Sequence, residues 1–180
     1  MFEIFAAAVI AFAAAIIQAS FLSHLPSFFS SISMVILAMC VAVVSGFDLE
    51  AAVIALVGGS LLDLHGAFGF GTELTAAFAA FVLMKLVFER FLSNASMIAI
   101  FVLAALGVAS HFLVLAGVDG LRILAGRDPY LLVFDPETLT GPLLSMFTTG
   151  TVTIAIIYIG RSIRRITEKI FLSSRLTLKL

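Results

Sequence analysis

The sequence predicts an all-α polytopic membrane protein, a bundle of about six transmembrane helices, and three observations carry that prediction. Of 180 residues, 62% are hydrophobic and only 12% are charged, where a soluble domain runs at about 45–50% apolar and about 25% charged. Mean hydropathy is +1.23. The few charges are grouped, leaving apolar runs between them; at about 20 residues per span, six spans use roughly 120 residues and leave short loops. A soluble globule, a disordered chain and a coiled coil all need more polar surface than this chain has. A net charge of −1 offers no basic field for nucleic acid. The single cysteine, Cys40, makes neither an internal disulfide nor a cysteine-rich metal site.

The first span runs from Ile4 to Phe21 without a charge. No Lys or Arg precedes it, so it reads as a retained span rather than a signal peptide. His24, Pro26 and the serines at 27, 30, 31 and 33 end it, because proline cannot continue a helix and serine favours caps. The second and third runs, about Ile32 to Phe47 and Ala51 to Leu64, are separated by Asp48 and Glu50. Both are near the lower length limit for a span, and a re-entrant pair is the alternative. The fourth starts near Thr72 and ends before Lys85; the fifth covers Met97 to Gly117. A polar connection, Val118 to Thr138, leads to the sixth, about Leu139 to Ile159. The domain reading is therefore a six-span unit over 1–160 and a basic tail over 161–180.

Orientation follows from Lys and Arg. The tail holds Arg161, Arg164, Arg165, Lys169, Arg175 and Lys179, and the region after span four holds Lys85 and Arg90. With six spans these fall on one side, against only Arg122 and Arg127 on the other. That asymmetry predicts both termini inside. Arg161, Arg164, Arg165 and Lys169 read first as a topogenic cap; the alternative is a short amphipathic helix along anionic lipid.

Asp63 is the leading candidate for function, since an ionisable residue in or at the edge of a span is costly to bury. Glycines at 58, 59, 66, 69 and 71 surround it. The first two allow close helix approach; the others allow backbone conformations closed to other residues. The turn is predicted either to use the carboxylate to cap a neighbouring helix or contact a partner, or to leave it in interfacial water. Ala7, Ala11, Ala15, Ala19 and Ser23 recur every fourth residue, which places a stripe of small side chains on one face for helix packing. Gln18 lies beside it. His24, His65 and His111 lack the spacing of a zinc motif and read as structural. No cofactor or metal is expected, and no nucleophile or paired-carboxylate arrangement points to an enzyme.

The run Gly59-Ser-Leu-Leu-Asp63, then Gly66, then Phe70-Gly71 resembles the glycine-aspartate-glycine turn of the rod shape-determining MreD family. Ile17-Gln18-Ala-Ser20 is similar to that family's Gln-Ser/Thr region. Gly69 stands where the family commonly has proline, and Ser31-Ile32-Ser33-Met34 replaces an Arg-Pro-Asp-type start, so the chain is identified as a divergent member. The resemblance implies a non-catalytic scaffold of cell-wall elongation in the bacterial cytoplasmic membrane. Its implied partners, besides the lipid bilayer, are an MreC-like protein, the MreB filament, RodA and a class B penicillin-binding protein. Gly59, Asp63, Phe70 and Gly71 are the implied turn. The family's fold is S-component-like, which supplies the competing expectation: a substrate-binding subunit of an energy-coupling factor transporter. Such a subunit docks through an alanine stripe and holds its ligand in an outer cavity. A secondary transporter is the weakest reading, since no inverted repeat is visible.

Overall fold

The computed structural model describes residues 2–66, 69, 71–92, 96–127 and 136–177; for Ser23, 136–139 and 165–177 only the backbone is described. Every described element is helical: α1 (Phe2–Ile16), α2 (Ser27–Ser30), α3 (Met34–Val44), α4 (Asp48–His65), α5 (Thr72–Phe91), α6 (Met97–Leu124) and α7 (Pro136–Thr177). The α1 helix continues through a π-helical turn, Ile17–Phe21, and a 3₁₀ turn, Leu22–His24. His24 donates from Nδ1 to the Ser20 carbonyl at 3.0 Å, and His65 does the same to Leu61 at 3.0 Å. Both histidines are satisfied by their own helix.

Among the described residues, three helices are long and apolar enough to cross a membrane: Phe2–Phe21, Met97–Leu124 and Thr140–Arg164. The other three expected spans differ for identifiable reasons. The α3 helix has 11 residues, about 16 Å at the rise of an α-helix, against a hydrocarbon core of about 30 Å. Length is adequate in α4 and α5, but α4 carries Asp48, Glu50 and Asp63, and α5 carries Glu73, Lys85, Glu89 and Arg90. Two boundaries move outward. The fourth run continues past Lys85 to Phe91, and the fifth continues past Gly117 to Leu124. Part of the expected polar connection, Val118 to Leu124, is thus helix, and its Asp119 is fully buried. The sixth run and the basic stretch form one continuous helix to Thr177.

The bundle is built around the 11-residue helix α3. Contacts to α1, α4, α5, α6 and α7 all converge on α3, and Val35, Ile36, Leu37, Met39, Cys40, Ala42 and Val43 are buried. A helix apolar on every side belongs inside a bundle. Around it α1 packs on α4, α4 on α5, α5 on α6 and α6 on α7. The core includes many small residues, Ala11, Ala51, Ala55, Ala80 and Ala104 among them, whereas Phe2, Phe5, Leu113, Leu121 and Leu124 are exposed. Small residues inside and large apolar ones outside suit a bilayer, where close backbone approach rather than expulsion of water holds helices together. Lys85 lies 3.0 Å from Asp48, joining the end of α5 to the start of α4, while Asp63 at the far end of α4 meets the start of α5. The two helices are antiparallel.

Candidate functional site

The predicted turn joins α4 to α5. The first turn of any helix leaves backbone N–H groups without intrahelical acceptors, and inside a bilayer such groups find no water. Gly71 occupies the N-cap position of α5 with φ +94° and has no side chain to cap with. Asp63 supplies the acceptor instead. Its Oδ1 accepts from the Glu73 N–H at 2.7 Å, and its Oδ2 accepts from Gly71 at 3.0 Å and Leu74 at 3.1 Å. The carboxylate is only 6% exposed and sits at the positive end of the α5 dipole, where a negative charge is favoured. Of the two readings of Asp63, the capping one is the geometry found.

Gly59 lies one turn before Asp63. A Cβ there would approach the Leu74 Cα to 2.8 Å and the Ala77 Cβ to 3.1 Å. Its absence lets α4 and α5 touch backbone to backbone, which brings Asp63 within reach of the N–H groups. Of the glycines read as conformationally special, Gly71 takes positive φ, whereas Gly66 is ordinary extended backbone and Gly69 has no positive φ either. Phe70 lies outside the described residues.

Glu73 extends the site. Its Oε2 lies 3.1 Å from Nε2 of His111 on α6, with both side chains largely buried. The contact is at ion-pair distance, but Glu73 Oε2 accepts no well-aligned hydrogen bond, and His111 Nδ1 has no partner among the described residues. The cluster therefore ties three helices, α4, α5 and α6, at one end of the bundle. Sequence reasoning missed Glu73, which stands in the first turn of its span like an interfacial residue, and it assigned His111 no partner.

The same end holds a second cross-helix cap. Gln18, in the π-helical turn, accepts the Val35 N–H of α3 at 3.2 Å through its Oε1. The Ser33 N–H donates to Thr149 Oγ1 of α7 at 3.0 Å, and the Ser31 and Thr148 hydroxyls lie 3.0 Å apart. Thr148, Thr149 and Thr153 are fully buried. These threonines were not singled out beforehand, although Thr149 and Thr153, four apart in the last span, carry a legible signal of a polar buried face. Beside this cap lies a cavity of about 820 Å³, lined by Gln18, several serines including Ser31 and Ser33, His111 and Ser145.

The remaining predicted residues lie elsewhere. Ala7, Ala11 and Ala15 are buried where α1 packs on α3 and α4, and Ala19 is partly buried. The stripe is thus a packing face within the chain. Arg161 and Arg164 are exposed at the opposite end of the bundle from Asp63, and the side chains of Arg165 and Lys169 lie outside the described residues. Among the described residues no three His, Cys, Asp or Glu side chains converge as a metal site. What the Asp63 end does chemically is fix helix starts: anionic and amide oxygens receive backbone donors that would otherwise be buried without partners. The chain matches no protein-family model, no curated protein and no solved structure.

Proposed function

We propose that this protein is a non-catalytic integral membrane scaffold of the bacterial cell-wall elongation machinery, similar to the MreD family. The observation that carries the reading is the Asp63 cap. The residues on which the resemblance rests, Gly59, Asp63 and Gly71, act together in one joint that sets how α4 meets α5. A motif whose side chains are occupied by the backbone shapes a surface for partners rather than turning over a substrate. In this reading α1, α3, α4, α5, α6 and α7 make six passes in alternating direction, with α3 continued by the α2 segment, and both termini are inside. Arg90 and the basic end of α7 then share the inner side, as the distribution of positive charge requires. The implied partners are an MreC-like protein, MreB, RodA and a class B penicillin-binding protein.

The test is purification of the tagged chain from gently solubilised membranes, with mass spectrometry of what accompanies it. Recovery of an MreC-like protein or the penicillin-binding protein is expected. Recovery of a coupling subunit with paired ATPases would overturn the reading.

One observation favours that competitor, an S-component-like substrate-binding subunit. The cavity beside Gln18 and His111 has the size and mixed lining of a small-molecule site. Against it, Ala7, Ala11 and Ala15 are covered by the chain's own helices, so the stripe is not presented to a coupling subunit.

A further inference from the structure

The cavity of about 820 Å³ carries Gln18, Ser33 and Ser145 among its polar lining and Ile36, Val108 and Phe112 among its apolar lining. Three of its polar groups are uncommitted. The Oε1 of Gln18 is taken by the Val35 N–H, which leaves its Nε2 as a donor with no described partner. Ser33 is bonded through its backbone N–H and Ser145 through its carbonyl, but neither hydroxyl bonds to a described residue. Ser145 is nevertheless only 6% exposed. A buried hydroxyl that lines a cavity and has no partner is a group waiting for one.

Charge decides the class of occupant. No Lys, Arg, Asp or Glu is among the described residues that line the cavity. Its one titratable lining residue, His111, already has a carboxylate, that of Glu73, 3.1 Å from its Nε2. An ion entering here would shed its hydration and meet no free counter-charge. A neutral molecule gives up only hydrogen bonds, and the uncommitted groups replace them. The Gln18 Nε2 can only donate, so its match is an acceptor such as a carbonyl oxygen; the serine hydroxyls donate or accept, which suits an N–H₂ beside that oxygen. An apolar transmembrane helix is a poorer occupant. Its backbone groups are spent within itself, so it would bury the amide and both hydroxyls without partners. The cavity also sits among helix ends rather than along a flank, with Gln18 in the turn after α1 and Ser33 at the N-cap of α3.

We propose that this cavity binds an uncharged small molecule of the carboxamide class, its carbonyl oxygen on the Gln18 amide, its N–H₂ on the Ser33 and Ser145 hydroxyls and its apolar body against Ile36, Val108 and Phe112. The site rests on the cavity and not on the scaffold role, and it requires no coupling subunit. Loss of elongation partners in a pull-down therefore leaves it standing, and its own failure leaves the scaffold reading untouched.

The test is protection of a thiol at the rim. Ser27 is exposed and lines the cavity, so the full chain carrying Ser27→Cys and Cys40→Ala is purified in nanodiscs and labelled with a water-soluble maleimide. The probes are benzamide, benzoate and benzylammonium, one ring with no charge, a negative charge and a positive charge. Benzamide is expected to slow labelling with a dissociation constant about tenfold below that of either ion. Gln18→Glu keeps an acceptor for the Val35 N–H but removes the donor, so it should abolish the preference for benzamide without lowering the thermal midpoint. Ser145→Ala should weaken benzamide several-fold, and Leu143→Trp, on the exposed rim, should block all three probes. Equal protection by the three, protection by none of them, or an unchanged ranking in Gln18→Glu would overturn the proposal. So would a co-purifying polypeptide that shields the thiol before any probe is added.

Discussion

Asp63 belongs to α4 by sequence and to α5 by hydrogen bonding. Replacing it with alanine leaves three partly buried N–H groups without their acceptor. A lost cap costs about 1 kcal/mol, and donors left partly buried without an acceptor add to that. Asp63→Ala should therefore lower the thermal unfolding midpoint in detergent clearly, with Asp63→Asn in between because one oxygen remains. A midpoint equal to that of the parent chain would show the carboxylate to be dispensable. The glycines allow a sharper comparison. Gly59→Ala drives a methyl against backbone at Leu74, whereas Gly58→Ala meets only the Val35 side chain. The first should destabilise more than the second. Gly117→Ala, with open space around it, should be neutral or stabilising by up to about 1 kcal/mol through helix propensity. The three midpoints, measured side by side, check the order. That Asp63 and its glycines form a unit was legible from their spacing. Which donors the carboxylate receives was not, because Gly71, Glu73 and Leu74 come within reach only once Gly59 has closed the helix pair.

At the scale of elements, α3 and α6 show two ways to start a helix in an apolar bundle. The α6 helix carries its own cap, with the Ser96 hydroxyl accepting the Ala99 N–H at 3.2 Å. The α3 helix borrows from its neighbours, Gln18 on α1 and Thr149 on α7. Gln18→Leu should accordingly raise amide exchange at Val35, and Thr149→Val should raise it at Ser33, while the amides of the α6 first turn keep their rates. Hydrogen exchange read by mass spectrometry after proteolysis distinguishes these segments; equal rates in parent and variants would remove both caps. The apolar runs were readable because charge is so sparse, and α1, α6 and α7 follow from them. The extents of α5 and α6 were not, since Lys85 and Asp119 look like helix ends on a hydropathy scale. Lys85 is instead neutralised by Asp48, and Asp119 is taken into the core.

For the whole molecule, the prediction concerns sidedness. With six passes and both termini inside, Gly126 is outside and Arg90 inside. In a Cys40→Ala background, an impermeant thiol reagent applied to intact cells should label Gly126→Cys and spare Arg90→Cys until the membrane is opened. The reverse pattern would invert the topology, and labelling of both from outside would change the number of passes. The central place of α3 has a further consequence for how the protein is made. Its N-terminal end draws one acceptor from a helix synthesised before it and another from a helix synthesised well after it. During translation, α3 therefore forms with one amide at its start still without its acceptor until α7 is made. Until then the second apolar segment, short as it is, is free to slide or tilt. Chains released early from the ribosome are expected to fail at this helix first, so quality control by membrane proteases would read the completion of α7 through the behaviour of α3.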